Sequence, residues 1–207
     1  MATWREEFFE VPSNEMAASS NIEAIVRQTL AEAAGLALDV AMLSATAGDA
    51  ARPPGLFFGT APLTPTSGGG DNAMHGDIAA LFAALANNGG GKNAAVVGAS
   101  PQISRLKMAV GPLWDYPLIA STALAAGTVA VIEISSLVSG FSSTVEFATS
   151  STGMLHMEDT APSSDLAAAV PVKSLWQIDA IGLRSTLWAS WGLRAAGHAQ
   201  FVTGVTW

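Results

Sequence analysis

The segment "SNIEAIVRQTLAEAAGLALDVAML", Ser20 to Leu43, constrains the fold most. Ile22, Ile25, Val26, Leu30, Ala33, Ala37, Val40 and Leu43 recur at helical spacing, and Ser20 with Glu23 forms a capping-box pattern at the start. A helix from Asn21 to about Ala45 would run roughly 37 Å at 1.5 Å per residue, longer than an average globular helix. Gly35 weakens its middle.

Beyond this helix the elements are short and varied. Gly48 to Asp71 contains four prolines and six glycines and reads as a long connection with an apolar anchor at Leu56 to Phe58. A second helix fits "DIAALFAALANN", with Asp77 as its cap and Ile78, Leu81, Phe82 and Leu85 on one face, stopped by the glycines from Gly89. "NAAVVGAS" reads as a buried strand. Ser100 and Pro101 then start a helix with Ile103, Leu106 and Val110 inward. Pro112 and Pro117 flank Trp114 and Tyr116 in a stiff loop, which either projects or folds back onto its own domain. "GTVAVIEIS" is a strand after a turn at Gly127, "STVEFATSS" and "GMLHMED" are expected to form a hairpin around Ser151 to Gly153, and Asp159 to Asp165 is linker-like.

The last stretch is apolar and free of carboxylates: no Asp or Glu follows Asp179, and Trp176, Trp188, Trp191 and Trp207 are four of the six tryptophans. From Ile181 the odd positions Ile181, Leu183, Leu187, Ala189, Trp191 and Leu193 alternate with Arg184, Thr186, Ser190 and Arg194, a period of two broken mainly by Trp188. Opposite parity at Trp176 and Ile178 points to a bulge near Asp179 to Gly182. The expectation is a long antiparallel hairpin, turned at "AAGH", packed on the first helix with extra tryptophan surface facing other copies. Each indole removes about 150 to 250 Å² from water when buried, worth roughly 4 to 6 kcal/mol as an upper bound.

Composition agrees with association. Half of the 207 residues are hydrophobic and 13% are charged, too few charges to coat a monomer well. The formal charge of −8, with no basic run, argues against gripping phosphate backbones. There are no cysteines, so neither disulfides nor thiolate metal sites arise. Glu32 and Asp39 within the most apolar helix argue against a membrane span, and the acidic start "MATWREEFFEVPSNE" is unlike a secretion signal.

In this order the elements resemble the C-terminal part of the HK97-like tailed-phage major capsid proteins, from Ser20 to Trp207. "NIEAIVRQTLAEAAGLALDVAML" is similar to the family's spine helix and "RPPGLFF" to the exit from it. "DYPLIASTALAAGTVAVIEISSLVSGF" resembles the segment crossing the axial domain, and "LWQIDAIGLRSTLWASWGLRAAGHAQFVTGVTW" the closing strands of the peripheral domain. The resemblance implies an α+β fold: a short segment 1–19, a peripheral domain from 20–66 and 167–207 with the spine helix and long antiparallel strands, and an inserted axial α/β domain, 67–166. The family's N-terminal arm and projecting hairpin have no counterpart before Ser20, and with the hairpin goes its crosslinking lysine.

The implied function is structural and not enzymatic: a virion subunit, in the host bacterial cytoplasm before assembly, joining itself in pentamers and hexamers around double-stranded DNA without reading its sequence. Portal or scaffold proteins would be further partners. The alternatives are an encapsulin-like compartment shell or a prophage remnant that does not assemble alone. The resemblance turns the aromatic loop toward the axis where copies meet, so Gly111, Pro112, Trp114, Asp115, Tyr116 and, on the closing strands, Trp188 are the candidate interface residues.

Other motifs read as structural, and no catalytic, cofactor or metal residue is expected. His75 with Asp77, and His156 with Glu158 and Asp159, lack the helical His pair that would preorganise a metal. His198 is a turn residue without an evident partner for base catalysis. "NNGGGKN" has Asn93 where a phosphate loop needs Ser or Thr, and "GASPQ" has Gln102 where a nucleophile elbow needs glycine, leaving Ser100 as a cap.

Overall fold

The computed structural model describes residues 4–12, 20–49, 52–111, 114–142, 145–152, 154–156, 172–177 and 180–207. They fall into two compact units, one built from 35–141 and 189–207, the other from 4–34 and 142–188. Helix α1, Ser20–Met42, begins in the second and ends in the first.

The first unit is organised by a four-stranded sheet in the order β11 (Ala199–Val202), β4 (Val129–Glu133), β2 (Ala94–Ala99), β3 (Leu118–Ser121). The pairs β11 with β4 and β4 with β2 are antiparallel, and β2 with β3 is parallel. Every residue of β2, β4 and β11 is buried, which requires cover on both faces. Side-chain alternation supplies it. Ala94, Val96, Val129, Val131 and Val202 face α2 (Gly70–Asn87) and α3 (Ser100–Ala109) through Met74, Leu81, Leu85, Ile103 and Leu106. Val97, Ala99, Ala130, Ile132 and Phe201 face the other way, onto Leu43, Leu56, Phe57 and Trp191. The continuous apolar runs "AAVVGA" and "VAVIE" are thus the middle layer of a three-layer unit.

The end of α1 is held by the chain returning to it. The N–H of Leu56 donates to the Met42 carbonyl at 2.8 Å and that of Phe57 to Ser44 at 3.0 Å, supplying partners for carbonyls a helix end leaves open. Trp191, on β10 (Ala189–Leu193), adds an indole bond to the Pro54 carbonyl at 3.0 Å. Strand β10 pairs antiparallel with β5 (Leu137–Phe141). The expected packing of the tail against the first helix holds here: Ala189, Trp191, Ala199 and Phe201 share a cluster with Leu38, Ala41, Met42 and Leu43.

The second unit contains a three-stranded antiparallel sheet, β1 (Trp4–Pro12), β9 (Ala180–Leu187) and β6 (Glu146–Ser150), with β9 in the centre. It also contains a small pair, β7 (Met154–His156) with β8 (Val172–Ser174). The Arg27 guanidinium of α1 lies 4.9 Å from the centre of the Phe147 ring.

Several expectations are corrected. The first helix ends at Met42, Ser20 is its first helical residue, and Ile25 and Val40 are exposed although they share the helical spacing of buried Leu30 and Leu43. The second helix starts at Gly70, leaving Asp77 buried mid-helix. Ser100 makes no side-chain cap bond; Ala99, in extended conformation, precedes the first turn with Pro101 inside it. Segments 146–150 and 154–156 do not pair with each other. Nor is the tail a hairpin turned at "AAGH": β10 before that turn pairs with β5 and β11 after it pairs with β4, so the two lie in different sheets, while β9 belongs to the second unit. The bulge expected from Asp179 and the linker from Asp159 to Asp165 involve positions outside the described residues.

Gly35 lies mid-helix with nothing within 4 Å of where its Cβ would be. Gly35→Ala is therefore expected to stabilise the isolated chain by about 1 kcal/mol, read as a rise in denaturant midpoint.

Candidate assembly surfaces

Three rings meet on the outside of the α2 and α3 layer. Phe82 of α2 stands 6.2 Å from Trp114, edge to face at 80°, and 4.7 Å from Tyr116; the Trp114 and Tyr116 rings are 5.7 Å apart. Such geometries contribute about 0.5–1.5 kcal/mol per pair beyond area burial. The Trp114 N–H donates to the Gly111 carbonyl at 3.1 Å, closing a turn that brings the two rings back onto α2. Gly111 and Asp115 remain exposed and Trp114 and Tyr116 are half-buried, while Pro112 lies outside the described residues. The Trp114 indole N–H is buried without a hydrogen-bond partner among the described residues, an arrangement that costs about 1–3 kcal/mol until an acceptor arrives.

The four tail tryptophans divide evenly. Trp191 and Trp207 are buried, whereas Trp188 and Trp176 are 41% and 77% exposed. Trp188 sits between β9 and β10, fixed by its carbonyl accepting the Ser142 N–H at 2.8 Å and its own N–H meeting Ser142 Oγ at 3.3 Å. The backbone is held while the indole faces solvent. Within the unit of 35–141 and 189–207, Phe58, Met108, Ile119, Val138 and Phe141 are also exposed.

Among the described residues no group of three or more metal-ligating side chains occurs. His75 is exposed; the His156 side chain, Glu158 and Asp159 lie outside the description. His198 Nε2 lies 2.9 Å from the Asn88 carbonyl oxygen. Among the described residues no helix is long and apolar enough to cross a membrane.

Two buried carboxylates have structural roles that local patterns conceal. Asp77 accepts the Thr66 N–H and the Trp207 indole N–H, each at 2.6 Å, joining residues 130 positions apart. Glu133, at the end of β4, holds the glycine-rich loop before β2. The only local signal is a carboxylate inside or at the end of an apolar run, which fits a cap or a strand end equally well.

No family model matches the chain. The chain is 29% identical over 213 residues to the capsid polyprotein of Pseudomonas phage PAJU2, covering 91% of this chain and 31% of that protein. It thus spans about a third of that relative's length. In structure it matches a chain of Mycobacterium phage Adephagia with a TM-score of 0.69 at 14% identity, over 99% of this chain and 73% of that one. It matches the capsid of an empty GTA particle, computed with fivefold symmetry, with a TM-score of 0.62 at 11% identity, over 100% and 74%. The architecture is the HK97-like α+β fold of phage major capsid proteins, as the resemblance implied.

Proposed function

We propose that this chain is the shell-forming part of a phage or prophage capsid subunit, assembling with copies of itself into five- and six-membered rings in the virion wall. The observation that carries the reading is likeness to capsid proteins along nearly the whole chain, by sequence and by fold. The surface supports it: apolar side chains remain uncovered on both units. Heterologous contacts around a ring use different faces of each subunit, so scattered patches on several elements suit it better than one symmetric face.

The acidic balance suits a wall that encloses double-stranded DNA without gripping it. Portal and scaffold proteins are further partners in this reading, host cytoplasm is where assembly occurs, and the subunit has no catalytic role. Residues 67–166 would form the axial part of the ring, with 20–66 and 167–207 the periphery. The loop Gly111 to Tyr116 then meets its symmetry mates, with the half-buried Trp114 and Tyr116 rings and the exposed Asp115 offered to the contact. Replacing Trp114 by alanine, followed by sedimentation velocity, tests this contact. Oligomers are expected to dissociate at concentrations where the parent chain stays assembled, and unchanged oligomer size and stability would count against it.

A further inference from the structure

The loop Asn88 to Asn93, between α2 and β2, contains three consecutive glycines, of which Gly89 and Gly91 have φ of 84° and 102°. Such a segment has little side-chain surface with which to fix itself. Its first half is tied to the end of α2, with the N–H groups of Asn88 and Gly90 donating to Leu85 and that of Gly89 to Ala86, and its second half is held by the buried side chain of Glu133. One carboxylate oxygen accepts the Gly91 N–H at 2.5 Å; the other accepts the Asn93 N–H at 3.0 Å and the Ser135 hydroxyl at 2.6 Å. The fit is close, since a Cβ on Gly90 would lie 3.0 Å from Leu85 and 3.4 Å from the carboxylate.

Among the described residues the negative charge is met by dipoles and by no cation. Lys92 in the loop and Arg194 after β10 are exposed, and His198 turns its ring to the Asn88 carbonyl while its own carbonyl accepts the Glu133 N–H. Strand β2 and the last turns of α2 carry no ionisable side chain. Burial pushes the carboxyl up, but the Ser135 hydroxyl and the N–H groups of Gly91, Asn93 and Lys92 outweigh it and hold the group below its ordinary value.

We propose that Glu133 is an acid-operated latch, whose protonation frees the Gly91 to Asn93 end of the loop while β2 and β4 remain paired. A protonated carboxyl can turn its O–H to the Ser135 hydroxyl, which accepts as well as donates, but toward the Gly91 and Asn93 N–H groups it is the weaker acceptor. The backbone bonds between β2 and β4 do not pass through it. Because the folded-state value is depressed, the latch is complete above the ordinary glutamate value and is lost as pH falls through the lowered one.

Amide hydrogen exchange on the full chain, followed residue by residue and corrected for intrinsic rates, tests the latch. Protection at Gly91 and Asn93 is expected to fall about tenfold relative to Val96 and Val131 as pH drops through the carboxylate range. Glu133→Gln should lack the loop's extra protection already at neutral pH. Should that variant not fold, Ser135→Ala, which removes one bond to the charged form, should move the release to higher pH. Loop and strand amides losing protection in step at every pH, retained loop protection in Glu133→Gln, or an unmoved release in Ser135→Ala would overturn the proposal.

Discussion

Replacing Asp77 with alanine is expected to cost about 3 kcal/mol or more, one of the two largest losses for a single side chain here. The carboxylate is 2% exposed and accepts two N–H groups from distant segments, the Thr66 backbone and the Trp207 indole. Alanine leaves the buried Trp207 indole N–H without this acceptor, at about 1–3 kcal/mol, and removes the tie to the Thr66 backbone as well. It also unties Trp207 from a cluster with Met74, Ile78, Leu81 and Val205. The neighbouring Gly76 shows how closely the segment is laid down, since a Cβ there would meet Thr66 Oγ1 at 2.8 Å. Thermal unfolding of the full chain should shift down by roughly 6–12 °C. The double variant Asp77→Ala with Trp207→Phe should lose less than the sum of the singles, because the second removes a donor the first has orphaned. A shift within about 2 °C would show that the carboxylate does not organise this end of the chain.

Gly55→Ala should be comparably damaging for a steric reason. Gly55 donates its N–H to Thr46 at 3.0 Å, and its Cα lies so near Ser44 that a Cβ would overlap the Ser44 carbonyl oxygen and hydroxyl. Backbone cannot yield as a flexible side chain can. The segment would lift from the end of α1, losing the Leu56 and Phe57 bonds, the acceptor of the Trp191 indole and the burial of Leu56 and Phe57 together. We expect a loss of about 3 kcal/mol or more in urea unfolding, with Trp191 emission shifted to the red. Gly140→Ala is the control: open space surrounds that position, and the same substitution should be neutral in the isolated chain. Equal effects at the two positions would contradict the steric account.

These two sites show what a sequence can and cannot disclose. The long helix and the buried runs of β2 and β4 are legible because each is a local pattern answering to one physical demand, and the anchor expected over Leu56 to Phe58 is right for Leu56 and Phe57 while Phe58 is exposed. The parity break at Trp188 is legible as a discontinuity, and it marks where β9 ends and β10 begins. Which strands pair is not, because alternation states that a strand has two faces and says nothing of its neighbours; hence β10 joins β5 and β11 joins β4 instead of each other across the "AAGH" turn. Asp77 misleads because its partners lie 11 and 130 residues away, while a Gly-Asp pair before an apolar run looks like a helix start. Within the candidate interface, the clustering of aromatics in one loop is visible, but that Phe82 of α2 receives them depends on tertiary packing.

The central claim is that the apolar surface left on a single copy is covered by further copies. Sedimentation velocity of the purified chain across a concentration series, with negative-stain images of the same samples, measures this most directly. The account predicts five- or six-membered rings or closed shells that grow in proportion as concentration rises, with the exposed Trp188 and Trp176 losing access to an aqueous quencher as they form. A single monomeric boundary at every concentration, with both indoles still open to the quencher, would contradict it.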